Sequence, residues 1–153
     1  MNRQFPLQSL LDLSQLRLDE ATRHLGELIT GQHEAAKRLE LLVEYRAEYQ
    51  SRFLASAQNG IDRDTWHNYQ LFLDRLDAAV AQAQEMVFAS ERRTVAGQQE
   101  WLSKRGKVKA FDTLAQRHQS RIVQAESRQE QKALDEHAAR RHREEDPNLD
   151  EKA

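Results

Sequence analysis

The most constraining feature of the sequence is a single apolar seam that repeats every seven residues from about residue 66 to about residue 139. Its a positions are Trp66, Leu73, Val80, Val87, Thr94, Trp101, Val108, Ala115 and Ile122, and its d positions are Tyr69, Leu76, Ala83, Ser90, Gly97, Lys104, Phe111, His118 and Ala125. Spacings that alternate between three and four residues predict a left-handed coiled coil. A helix with so narrow an apolar face has no core of its own, so it needs a second helix to pack against.

A second seam precedes the first one along the chain. Its a positions are Leu11, Leu18, Leu25, Gln32, Leu39, Arg46 and Phe53, and its d positions are Leu7, Ser14, Ala21, Leu28, Ala35, Leu42 and Tyr49. Between the seams, Asn59-Gly60 predicts a turn, because Gly60 can adopt the positive φ that ends a helix, and Asp62 or Asp64 can cap the next helix. We therefore expect a helix over about 7–57, a turn over 58–62 and a helix over about 63–142.

The two seams fit one antiparallel register. Tyr49 falls opposite Leu73, and Leu25 opposite Gly97, in pairs whose residue numbers all add up to 122. The predicted fold is all-α: an antiparallel two-stranded coiled-coil hairpin over residues 7–143, with a longer second helix whose residues 116–143 have no partner within the chain. We expect a disordered start over 1–6 and an acidic disordered tail over 144–153. A polar layer of Gln32 and Ser90 either fixes this register or is merely tolerated in a thin core.

Composition excludes several classes of function. Charged residues make up 31% of the chain and aromatic residues 7%, which suits long helices better than a thick core. There is no cysteine, and the six histidines have no metal-binding spacing. No apolar run approaches the roughly 20 residues of a membrane span. We therefore expect no enzymatic activity, no metal or other cofactor and no membrane insertion, and the net charge of -2 gives no reason to expect a nucleic-acid partner.

Two surfaces remain as candidate binding sites. Near the turn, Tyr45, Phe72, Ala79 and Met86 occupy g positions, where charged residues are usual, so they either form an exposed apolar strip or widen the core. The segment 104–143 carries eleven basic and five acidic residues, which form either a solvated face or a site for an acidic partner or nucleic acid. Three further leucines of the first helix, Leu10, Leu13 and Leu16, lie outside its seam.

Several stretches resemble one known family. They are Asp19-Glu20-Ala21, Leu25-Gly26-Glu27-Leu28, Tyr45, Tyr49, Gly60-Ile61, Trp66, Asn68-Tyr69, Phe72, Thr113-Leu114, Ala125-Glu126, Gln131-Lys132 and Asp135-Glu136. In this order and spacing, over about residues 7–141, they are similar to the flagellar export protein FliJ family. The resemblance implies a non-enzymatic stalk of the flagellar type III protein export apparatus, cytoplasmic and peripheral at the inner membrane.

The resemblance also implies partners. They are the hexameric export ATPase, the export gate protein FlhA and, for some members, export chaperones. Carried over by position, the gate-binding strip is Leu42, Tyr45, Tyr49, Phe72, Leu76 and Ala79. By analogy with the stalk of rotary ATP synthases, the ATPase-docking set is Leu10, Leu13, Leu16, Lys107, Lys109, Arg117, Arg121 and Arg128. The alternatives are a generic coiled-coil adaptor, a dimerising scaffold, or the equivalent stalk of a virulence type III secretion system.

Overall fold

A computed structural model of the chain describes residues 3–146 and contains two helices, α1 (Gln8–Ala57) and α2 (Arg63–Glu145). The described residues contain no strand, and the two long helices pack against each other, so the prediction of an all-α helical hairpin is confirmed. Helix α2 runs to Glu145, past the expected end near residue 142. Residues 1–2 and 147–153, which hold parts of the expected disordered ends, lie outside the described residues.

The chain divides into two compact units, and both helices pass through each of them. One unit comprises residues 16–105, and the other combines residues 3–15 with residues 106–146 of the described chain. We call them the turn unit and the terminal unit.

In the turn unit the two helices run antiparallel in the predicted register. The rings of Phe53 and Tyr69 stack with their centroids 3.4 Å apart. Farther from the turn, the Trp101 indole Nε1 donates a hydrogen bond of 2.9 Å to Thr22 Oγ1. The core between the helices is thin, because the buried residues of this unit all lie on the two seams. They are Ala21, Tyr69, Leu76, Ala83, Ser90, Thr94 and Gly97.

The buried hydroxyls of Ser90 and Thr94 donate hydrogen bonds within α2, and Thr94 Oγ1 also lies 3.4 Å from the Leu28 carbonyl oxygen of α1. The Ser90 hydroxyl donates to the Val87 carbonyl oxygen at 2.7 Å, and the Thr94 hydroxyl donates to the Ser90 carbonyl oxygen at 2.9 Å. Gln32, expected in one layer with Ser90, is half-buried. Because the Ser90 donor is used inside α2, this layer fits a tolerated polar position better than a pair that fixes register.

The turn follows the chemistry of its residues. The Gly60 amide donates to the Ala57 carbonyl oxygen at 3.1 Å, and Gly60 has a φ of 83°, so it ends α1 as predicted. Asp62 accepts a hydrogen bond of 3.0 Å from the backbone amide of Thr65, which makes Asp62 the N-cap of α2.

In the terminal unit, α1 contributes only residues 8–15, whereas α2 continues to Glu145. Ser14, Val108 and Ile122 are buried here. Every described residue from Glu126 onward is exposed. Within this unit α2 therefore extends well beyond the first residue of α1, as the overhang in the two seams predicts.

Candidate partner-binding surfaces

The predicted strip lies in the turn unit, on an aromatic cluster that joins the two helices. The Phe72 ring lies 4.5 Å from the Tyr49 ring and meets the Tyr45 ring edge-on at 6.4 Å. Tyr49 also stacks on Tyr69 at 5.5 Å. Edge-on and stacked ring pairs at such distances are attractive beyond their buried area, so the cluster holds the strip in place as well as forming part of it.

The strip residues differ in how far they reach solvent. Tyr45 is 49% exposed, and neighbouring Met86 is 51% exposed. Leu42, Tyr49, Phe72 and Ala79 are half-buried. Leu76 is only 7% exposed, so it lies beneath the strip and supports it from the core. The strip thus presents two large exposed side chains on a base of half-buried ones.

A groove continues the strip away from the turn. It is lined by Arg38, Leu42, Ala79, Gln82, Ala83 and Met86. Arg38 and Gln82 add hydrogen-bond donors beside the apolar surface, an arrangement typical of protein interfaces, which have an apolar centre and a polar rim. The sequence pattern does not single out Arg38, because charged residues are usual at its g position.

An ion pair also links the two helices of the turn unit. Arg46 of α1 donates from Nε to Asp77 of α2 in a hydrogen-bonded ion pair. The apolar strip and this ion pair thus differ in chemistry within the turn unit.

Residues of the predicted ATPase-docking set are exposed. Leu10 and Leu13 are 45% and 42% exposed, and Lys107, Lys109, Arg117, Arg121 and Arg128 are exposed on α2 of the same terminal unit. Leu16, 61% exposed, belongs to the turn unit instead. The remaining seven members thus share one unit, where they combine apolar and basic side chains.

In the terminal unit, N-terminal residues make contacts with α2 that the sequence-based prediction does not include. Arg3 Nη2 lies 2.7 Å from Glu126 Oε1, and the Phe5 ring lies 5.7 Å from the His118 ring. Residues 3–6, part of the expected disordered start, therefore contact α2. The one sequence feature that could have indicated these contacts is Phe5, a large apolar residue directly before Pro6 and α1.

Within residues 3–146, no group of three His, Cys, Asp or Glu side chains is placed to hold a metal ion. Neither α1 nor α2, over the part that the structure describes, has an apolar stretch suited to crossing a membrane. Exposed apolar and charged faces on long helices are suited to binding other proteins.

Comparison with known proteins decides the family. The family described as "Flagellar FliJ protein" matches residues 3–146. The chain belongs to the FliJ family. It is 33% identical over 134 residues to the flagellar FliJ protein of Salmonella typhi, covering 88% of this chain and 91% of the relative. It is 31% identical over 134 residues to the flagellar FliJ protein of Escherichia coli (strain K12), with the same coverage.

Membership of the FliJ family identifies the chain as a component of flagellar protein export. The coiled-coil hairpin and the family agree with the fold and the family expected from the sequence.

Proposed function

We propose that this FliJ-family chain is the stalk that couples the hexameric export ATPase to the export gate protein FlhA. In this role it acts without catalysis of its own, at the cytoplasmic face of the inner membrane, and export chaperones are further partners. The observation that carries the proposal is the presence of two chemically different exposed surfaces that share no residue. One is the apolar strip of the turn unit, and the other is the basic and leucine-bearing surface of the terminal unit.

The strip supports the assignment of the gate. Its exposed Tyr45 stands against half-buried Phe72, which is itself held by Tyr49. A rigid aromatic side chain on a fixed base loses little conformational entropy on binding, so it is suited to be an interface anchor.

The terminal unit supports the assignment of the ATPase. Basic residues there are exposed on α2, and exposed Leu10 and Leu13 add apolar area. A surface of this kind attracts an acidic partner electrostatically and then buries apolar surface against it.

The ATPase assignment is tested by adding the chain to its cognate purified export ATPase and measuring complex formation and ATP turnover. We expect saturable binding and changed turnover, both weakened by Arg117→Glu combined with Arg121→Glu. The control is Arg92→Glu combined with Arg93→Glu, which changes the same charge on α2 in the turn unit. No binding by the unaltered chain, or equal weakening by both pairs, contradicts the assignment.

The gate assignment is tested with the cytoplasmic part of FlhA. Because truncation of an interface anchor costs at least about tenfold in affinity, we expect that loss for Tyr45→Ala. Leu41→Ala is the matched control, since Leu41 is a 56% exposed apolar residue of the same helix outside the strip. Equal affinities of Tyr45→Ala and the unaltered chain contradict the assignment.

A second candidate is a dimerising scaffold, favoured by the exposed C-terminal part of α2. Residues 126–145 are helical and exposed, and Leu134 is 63% exposed, so a second copy could pair there. Sedimentation equilibrium separates the two candidates. A mass of 17.8 kDa across micromolar concentrations favours the stalk, whereas twice that mass favours the scaffold.

A further inference from the structure

Ile122 is buried although α1 does not reach it. In the register of the hairpin Gln8, the first residue of α1, lies opposite Leu114, so Ile122 lies about two helical turns farther along α2. An apolar residue on an uncovered helix face would be largely exposed, yet Ile122 is only 8% exposed. A segment outside α1 must cover it.

The described N-terminal residues lie against this part of α2. Phe5 contacts His118, and Arg3 pairs with Glu126. Arg3 also lines a groove together with Ile122, Ala125, Glu126 and Gln129. His118, Ile122 and Ala125 are consecutive seam residues of α2. We call residues 3–7 the N-terminal strap.

The contacts that Arg3 and Phe5 of the strap make with α2 are weak. The Arg3 and Glu126 side chains are 80% and 47% exposed, and ion pairs this exposed contribute little to stability. Phe5 is half-buried. Among the described residues, His118 Nε2 is shielded from water without a hydrogen-bond partner, which disfavours the closed arrangement. The strap is therefore suited to opening.

The surface beneath the strap has the pattern of a coiled-coil seam. Ala115, His118, Ile122 and Ala125 follow the spacing of three and four residues that packs against another helix. Exposed Arg121 and Arg128 occupy the g positions that flank this seam on one side. Its chemical complement is an amphipathic helix with an apolar seam and acidic flanking residues.

We infer that the N-terminal strap is a displaceable cover over a helix-binding site on α2, and that an acidic amphipathic helix of the partner replaces it. This inference rests on the proposed function, in which the partner at the terminal unit is the export ATPase. The strap then lowers the apparent affinity for that partner, because only molecules with an open strap can bind it.

Closure of the strap is tested without any partner, in a chain that has no native cysteine. We expect maleimide to label Ile122→Cys slowly, and to label it at least about tenfold faster when Phe5→Ala is added, since labelling follows the open fraction. Val108→Cys is the control, because Val108 is also 8% exposed in the same unit but lies alongside α1. Its labelling rate should not respond to Phe5→Ala. Equal labelling of Ile122→Cys with and without Phe5→Ala overturns the inference.

Displacement is tested by locking the strap with a short thiol crosslinker between Phe5→Cys and His118→Cys. We expect the locked chain to bind the export ATPase at least about tenfold more weakly, with full recovery when the crosslink is cleaved. Arg46→Cys crosslinked to Asp77→Cys is the control, since it joins the helices in the turn unit. Equal binding by locked and cleaved chains overturns displacement. If the unaltered chain also fails to bind, the proposed function fails, while the labelling rates still decide whether the strap closes.

Discussion

Gly97 of α2 packs directly against Leu28 of α1. A Cβ atom added at Gly97 would lie 2.5 Å from Leu28 Cδ1 and 3.6 Å from Leu25 Cδ1. The absence of a side chain at this seam position therefore leaves the space that the two leucines fill. Large residues opposite small ones allow close packing in a core only two helices thick.

This contact predicts different results for substitutions at two glycines of the turn unit, Gly26 and Gly97. Replacing an interior helix glycine by alanine stabilises a helix by up to about 1 kcal/mol, and we expect that gain for Gly26→Ala, where nothing lies within 4 Å. Gly97→Ala should gain less, because Leu28 must move aside. Gly97→Leu should destabilise the fold by about 1–3 kcal/mol through overpacking. Urea unfolding followed by circular dichroism measures all three. An unchanged midpoint for Gly97→Leu would contradict the close contact.

The cap of α2 predicts a specific pH dependence. Hydrogen bonds from the Thr65 hydroxyl and the Thr65 backbone amide lower the pKa of Asp62. A lowered folded-state pKa means that the stabilisation is complete above the unfolded pKa of about 4 and is lost as the pH falls through the lower folded value. We expect Asp62→Ala to lower the melting temperature at pH 7, and this difference to shrink at acidic pH.

The matched variant for this cap is Asp62→Ser. A serine hydroxyl still accepts a hydrogen bond from the Thr65 amide but does not ionise in this range. The melting temperature of Asp62→Ser should therefore stay closer to that of the unaltered chain than Asp62→Ala does at pH 7. A difference between Asp62→Ala and the unaltered chain that stays as large at acidic pH as at pH 7 would contradict a role for the charge.

The ion pair between Arg46 and Asp77 predicts a rescue by charge exchange. The two side chains are 35% and 49% exposed, so either alanine variant alone should cost no more than about 1 kcal/mol. Arg46→Glu should cost more, because it places two carboxylates side by side. Adding Asp77→Arg should recover most of that loss at low salt and less of it at high salt. If adding Asp77→Arg to Arg46→Glu does not raise the melting temperature, the Arg46 and Asp77 side chains do not interact in solution.

The aromatic cluster predicts that two tyrosines near the turn behave differently. Tyr69 is 5% exposed and stacks on Phe53, so Tyr69→Ala should destabilise the fold by about 3 kcal/mol or more. Tyr45 is 49% exposed, so Tyr45→Ala should leave helicity and the melting temperature nearly unchanged. A large drop in the melting temperature for Tyr45→Ala would assign Tyr45 to the core and remove the exposed part of the strip.

The hairpin was predictable because a seven-residue repeat fixes both the face and the register of a helix. Every seam residue named between Leu7 and Phe53, and from Tyr69 to Ala125, is buried or half-buried. Only Trp66, beside the turn, is exposed at 49%. Gly60 and Asp62 were predictable for a local reason, since positive φ and helix capping depend on residue type more than on distant packing.

The strip and the strap were harder to predict because both depend on contacts across the hairpin. A g position is defined by the repeat, but whether Tyr45 at such a position reaches solvent depends on its contact with the Phe72 ring of the other helix. Contacts of Phe5 and Arg3 lie outside any repeat, so periodicity carries no information about them. The composition of residues 1–6 predicts disorder, and it does not reveal that the single aromatic residue Phe5 contacts His118 on the seam of α2.

The most direct test of a coupling role is whether both partners bind one molecule of this chain at the same time. The chain is immobilised, saturated with the export ATPase, and then titrated with the cytoplasmic part of FlhA. We expect FlhA to bind with the same affinity as to the free chain, and Tyr45→Ala to weaken only this second step. Competition between the two partners for one site would contradict the separation of the two surfaces, and with it the proposed coupling.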